Sequence, residues 1–144
     1  MTTQPIPDRY HTVTPYLVVP DVVAVLDFVQ RAFAAEVAEC VKGPDGGVRH
    51  AEAVIGDSVV MMGQAGGEWQ PKPACLYLYV EDVDAVYARA VAAGGASLRE
   101  PADQFYGDRS GGVCDPAGNQ WWIATHVEDV PPEELARRAA GSEH

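Results

Sequence analysis

In the stretch GVRHAEAVI, His50 and Glu52 stand two apart, a spacing that puts both on one face of a strand. A neutral imidazole beside a carboxylate is a general base, or half of a metal site; the same pair also serves as a polar contact on a rim or between subunits. Cys75 offers a thiol, to be read as a soft ligand, a nucleophile or a small apolar side chain. Tyr16, Tyr77 and Tyr79 each carry a ring and a hydroxyl. In DQFYGDRSG, Arg109 can present its planar fork to a carboxylate or phosphate, or close a salt bridge to Asp108 or Asp115. His11 and His126 flank strands, where surface roles are expected, and His144 is terminal. No spacing displays a nucleophile, its base and an orienting third group.

The elements that must position these groups come in two copies. Residues 15–36, PYLVVPDVVAVLDFVQRAFAAE, align without gaps on residues 76–97, LYLYVEDVDAVYARAVAAGGAS, with nine of 22 pairs identical at a spacing of 61. Each copy reads as an apolar strand, an Asp suited to capping, and a helix; Val22, Val25, Leu26, Val29 and Phe33 recur on one helical face. AECVK and GVRHAEAVI flank a Gly/Pro/Asp turn, and Gly56-Asp57 leads into SVVMMG. Gly94-Gly95 stops the second helix, and Asp115–Asn119 turns into QWWIATH. The spacing is too long for a solenoid unit and predicts an α+β fold of two βαβββ modules in pseudo-two-fold relation. Module one covers about 8–63, a polar connector 64–73 and module two about 74–126. A tail over 127–144 contains a short amphipathic helix, and the whole chain, 1–144, reads as one domain.

A net charge of −11 argues against nucleic acid as a partner and suits a cationic ligand as well as plain solubility. Cys40, Cys75 and Cys114 form no CxxC pair and are expected as reduced thiols. No apolar run reaches the roughly 20 residues of a membrane span, and MTTQPIPDRYH lacks a signal architecture, so a bacterial, cytoplasmic protein without membrane partners is expected.

The motif set YLYVEDVDAV, DQFYGDR, DPAGNQWW and ATHVEDVPPEEL resembles the vicinal oxygen chelate superfamily of glyoxalase I, extradiol dioxygenases and bleomycin-resistance proteins, and within it the PhnB-like branch, over about residues 8–138. The resemblance implies paired modules whose curved sheets surround a cleft, commonly completed in a homodimer. Fold alone implies no activity.

Metal-dependent members place ligands at the start of each module's first strand and on each module's last strand. Anchored on Asp21 and Asp82, and on Gly56 and Gly118, these slots fall on Thr14, Cys75, Val60 and Trp122. Val and Trp offer no donor for a first-row cation. No metal and no cofactor is therefore expected, and neither is glyoxalase I or extradiol dioxygenase activity.

Strand alternation then assigns Thr14, Tyr16, Val18, Val60 and Met62 to the cleft from module one, and Cys75, Tyr77, Tyr79, Gln120 and Trp122 from module two. Leu17, Val19, Leu78, Val80, Trp121 and Ile123 fall beneath the helices. The expected cleft is aromatic and apolar, as small-molecule sites usually are, with Arg109 as a polar contact. Two functions fit. The first is a metal-free protein that binds or sequesters an organic molecule. The second is a non-metal enzyme, an acid-base isomerase or lyase, using His50 and Glu52 or a cleft Tyr or Cys75.

Overall fold

The computed structural model describes residues 3–141, so His144 at the end of the tail lies outside the described residues. The elements run β1 (Tyr16–Val19), α1 (Val22–Phe33), β2 (Glu36–Lys42), β3 (Val48–Ile55), β4 (Ser58–Gln64), β5 (Cys75–Tyr79), α2 (Val83–Ala92), β6 (Ala96–Asp103), β7 (Asp108–Cys114), β8 (Gln120–His126) and α3 (Pro132–Ala140). They form two four-stranded sheets of identical topology, β1-β4-β3-β2 and β5-β8-β7-β6, in which the last strand of each module lies parallel beside the first. This is the two-module α+β architecture the repeat predicts.

Matching local chemistry builds both modules. Asp21 and Asp82 hold extended backbone and accept the amides of Ala24 (3.3 Å) and Ala85 (3.2 Å), capping α1 and α2. Gln64, closing β4, accepts the Val22 amide and donates to the Pro20 carbonyl. Thr125, near the end of β8, repeats the stitch, accepting from Val83 at 2.9 Å and donating to Val80 O at 2.8 Å. Pro101 sits within β6, which tolerates it because β6 is an edge strand.

The core is shared. Val22, Val25, Phe28 and Val29 of α1 and Val83, Val86 and Ala90 of α2 form one apolar cluster with Leu17, Val19, Ala51, Ala53, Val60 and Met62 of the first sheet and Val113, Trp121 and Ile123 of the second. Both sheets thus pack on the same helical layer, and their other faces point away from it. Within one chain the two modules meet through their helix-covered faces. A pocket of this single chain is nonetheless lined from both modules, by Phe33, Ile55 and Val60 of the first and Leu76, Tyr77 and Tyr79 of the second, whereas Tyr16, Met62 and Trp122, expected in the same cavity, do not line it, which is a first correction.

A second correction concerns Val60 and Met62, which lie in this core rather than on the open face. Tyr16 stands opposite Met61, and Leu17 opposite Met62. Residues in register share a face, so Met61 joins Tyr16 and Met62 joins the buried Leu17. The reason lies in the turns. Ile55 and Ser58 pair across a two-residue turn, whereas Cys114 and Gln120 pair across five residues. Gly56 and Gly118 are therefore not equivalent, and aligning on them slips β4 by one residue, which inverts its faces. The pairs Tyr16–Met61 and Tyr77–Trp122 keep the spacing of 61 in both strands.

Candidate functional site: two open sheet faces

On module one's open face, Tyr16 of β1, Met61 and Gly63 of β4, and His50 and Glu52 of β3 stand in register. Glu52 is only 4% exposed, and burial raises its pKa. Its Oε2 meets His50 Nε2 at 2.7 Å, and its Oε1 accepts from the Tyr10 hydroxyl. On its other side, His50 Nδ1 lies 3.4 Å from the Tyr16 hydroxyl. Gly63 leaves room for this contact, since a Cβ there would collide with the Tyr16 hydroxyl. The result is a chain Tyr10–Glu52–His50–Tyr16. Spacing reveals only its middle pair, because Tyr10 and Tyr16 join through tertiary contacts. The connector adds Trp69, edge-on to Tyr16 at 6.2 Å, and crosses the sheet edge where the Lys72 amide donates to Val18 O at 3.0 Å, which buries Val18. Thr14 precedes β1, and its hydroxyl donates to His11 O at 3.0 Å.

On module two's open face, Cys75, Tyr77 and Tyr79 of β5 lie beside Gln120 and Trp122 of β8. Gln120 Oε1 accepts from Trp122 Nε1 at 3.2 Å, with Cys75 Sγ 4.0 Å away. Arg99 lays its guanidinium over the Trp122 ring at 5.4 Å, and Gly112 makes space for that ring, since a Cβ there would come within 2.6 Å of it. Tyr77 and Tyr79 hold their ring centroids 5.3 Å apart.

Asp108, 3% exposed, organises this face. Its Oδ2 accepts from the Tyr77 (2.7 Å) and Tyr79 (2.8 Å) hydroxyls, and its Oδ1 from His126 Nδ1 (2.9 Å). Burial pushes the Asp108 carboxyl up, but the bonds from His126, Tyr77 and Tyr79 outweigh it, leaving the pKa below the ordinary value. His126 Nε2 meets Asp129 Oδ1 at 2.7 Å. Carboxylates only accept, so both ring nitrogens donate and His126 is the imidazolium; its bonds to Asp108 and then Asp129 raise its pKa. Tyr77 is raised by burial first and then by its bonds to Asp108 and Tyr106; Tyr79 is raised by its bond to Asp108 first. No local pattern marks this cluster, whose individual hydrogen bonds join residues up to 31 apart along the chain.

Arg109 is a third correction. Alternation turns it from Asp108's face to the helix side, where it grips Asp84 of α2 with bonds of 2.9 and 3.0 Å and reaches Asp103 at 3.3 Å. Its partners are neither Asp108 nor Asp115, and its bonds to Asp84 fasten α2 to β7. Asp115 is occupied elsewhere. Buried, it accepts the amides of Ala117 and Asn119, the Asn119 side chain and Trp121 Nε1, fixing the turn before β8.

The four metal slots do not fit a divalent ion. By register the β4 slot is Met61, so the set is Thr14, Met61, Cys75 and Trp122, divided between the two sheets. Among the described residues no three His, Cys, Asp or Glu side chains group to hold a metal.

Known proteins echo this architecture. TioX from Micromonospora sp. ML1 superposes with a TM-score of 0.71 at 24% identity, covering 81% of this chain and 99% of its own. A PhnB protein from Bacillus cereus superposes at 0.63 and 19% identity, covering 80% and 99%. In sequence, the uncharacterized protein Mb0911c of Mycobacterium bovis is 35% identical, covering 85% of this chain and 88% of its own length. A family model matches residues 9–123, and the chain belongs to the Glyoxalase/Bleomycin resistance protein/Dioxygenase superfamily.

Proposed function

We propose that this protein binds an organic small molecule, without metal or cofactor, against the ring-bearing open faces of its sheets. The observation that carries this reading is the exposure of large rings where a core would bury them: Tyr16 is 45% exposed, Trp69 53%, Tyr77 45% and Tyr79 65%, all on or over the open faces. Covering such rings with a planar ligand gains about 25 cal/mol per Å² of apolar area, so a modest contact yields several kcal/mol. Because the two open faces belong to separate sheets, the reading includes a homodimer in which module one of one copy meets module two of the other, giving two clefts related by the dyad. Superfamily members often dimerise and bind small molecules. Free thiols at Cys40, Cys75 and Cys114 suit a reducing cytoplasm. No helix of the described residues is long and apolar enough to cross a membrane.

The test is a thermal-shift screen of planar aromatic compounds, neutral and charged. A bound compound raises Tm, and Trp122→Ala is expected to weaken it. Equal affinity in wild type and Trp122→Ala removes Trp122 from the site.

One observation favours a second reading, acid-base catalysis: Glu52 is buried against His50, which in turn faces Tyr16. This is the arrangement of a proton carrier held by an orienting carboxylate. The readings part on the fate of the ligand. A binding protein returns it unchanged, whereas an isomerase or lyase returns a product whose formation stops with His50→Gln.

A further inference from the structure

The hydroxyls of Tyr77 and Tyr79 have their protons committed. A phenol has one proton and two lone pairs. Both protons point at Asp108 Oδ2, 2.7 and 2.8 Å away, while His126 occupies Oδ1. Three donors converging on one carboxyl match the ionised form, which has no proton to return. Each phenol therefore shows the open face its oxygen lone pairs and no donor. Tyr77 shares its hydroxyl with Tyr106 as well, so Tyr79, the more exposed ring at 65%, is the principal acceptor.

The surrounding charges do not reverse this polarity. Asp108 and Asp129 bracket His126, leaving the trio at one net negative charge. Arg99 on this face lies over Trp122, and Arg89, which lines the same pocket as Tyr77 and Tyr79, is accompanied there by Glu81 and Asp82. Arg109 is turned to the helix side and held by Asp84 and Asp103.

We propose that the Tyr77–Tyr79 face selects aromatic ligands that carry a hydrogen-bond donor, such as an ammonium, amidine or amide N–H, over their carboxylate counterparts, because Asp108 fixes both tyrosine hydroxyls as acceptors. This rests on the small-molecule reading above and names the ligand class for it. The ring stacks, the donor reaches Tyr79 Oη, and an acceptor in the same place meets lone pairs with no proton between them. The device is one of specificity: a site built to pair a donor leaves its own acceptor unsatisfied when the donor is missing.

The experiment compares two indoles of similar shape, tryptamine and indole-3-propionate, titrated into the intact protein by calorimetry or by chemical-shift perturbation of tyrosine resonances. The expected result is tighter binding of tryptamine. Tyr79→Phe, which keeps the ring and removes the acceptor, is expected to weaken tryptamine roughly ten-fold, the fold-change of one charge-assisted hydrogen bond, and to leave indole-3-propionate unchanged or improved. Far-ultraviolet circular dichroism confirms that the variant is folded. If both indoles bind equally, or tryptamine is indifferent to Tyr79→Phe, the acceptor proposal is overturned while the small-molecule reading stands. If neither binds at millimolar concentration, both fall.

Discussion

Phe33 at the end of α1 and Trp121 of β8 bring their rings to 5.1 Å across the boundary between the two modules. This contact joins a helix of one half to the sheet of the other, so the halves share one core and turn their open faces outward. Trp121 is fully buried and gives its indole N–H to Asp115 at 2.8 Å. Its neighbour Trp122 faces the other way, beside Tyr77 and under Arg99. Two adjacent tryptophans thus carry separate duties, one for the fold and one for the surface.

The first prediction follows from that division. Trp121→Ala is expected to destabilise the protein by about 3–5 kcal/mol, the usual cost of emptying a large aromatic from a core. Trp122→Ala is expected to cost less than about 1 kcal/mol, since it removes no core ring. Urea unfolding of both variants checks this; equal losses would contradict the assignment of faces.

Alternation and capping make much of the fold legible in the sequence, because those signals are local: Asp21 and Asp82 cap as read, and Leu17, Val19, Trp121 and Ile123 fall on the core face. Module two's open face is equally legible. Met62 is misplaced when a turn glycine serves as anchor, because turns tolerate length changes that strand registers do not. Asp108 with His126, and Tyr10 with Glu52, escape a linear reading because their partners arrive from other parts of the chain. That the two modules share one core depends on how α1 packs on α2 and on the second sheet, which no spacing encodes.

A pH prediction rests on His126. Its pKa is raised in the folded protein by Asp108 and Asp129, so its contribution is complete below the unfolded value and disappears as pH rises through the folded one. Asp108 has a lowered pKa, so its contribution is present above the unfolded carboxylate value and lost as pH falls through the folded one. Wild type should therefore exceed His126→Gln in Tm at mildly acidic pH, between the carboxylate and imidazole ranges. The two Tm values should converge above the folded His126 pKa and also in strong acid. A gap that widens with alkalinity would contradict the pairing.

Gly107 supplies a prediction about the tail. It holds φ of 100°, and a Cβ there would strike the Glu128 carbonyl. Its own carbonyl accepts the amides of Val127 (2.9 Å) and Glu128 (3.0 Å), and Glu128 in turn holds Arg138 of α3. Gly107→Ala is expected to cost at least about 1 kcal/mol from the backbone conformation alone, and to loosen α3 first. Hydrogen exchange of the α3 amides checks this; unchanged protection there would refute the link.

The assembly prediction is a particle of twice the 15.4 kDa chain mass by light scattering at micromolar concentration. A mass of one chain would leave each open face alone and reduce the proposed clefts to two shallow half-sites.

Met61 and Met62 give the most direct test of the proposed site. Met61 stands beside Tyr16 and Glu52 on an open face, and Met62 is fully buried behind it. The methyl resonances of labelled methionine can be followed while an aromatic compound that raises Tm is titrated in. Ring currents from a ligand on the open faces, in a cleft completed by a second copy, are predicted to move the Met61 methyl and leave the Met62 methyl in place. Movement of Met62 with Met61 unchanged, or a bound ligand that moves neither, would contradict the account.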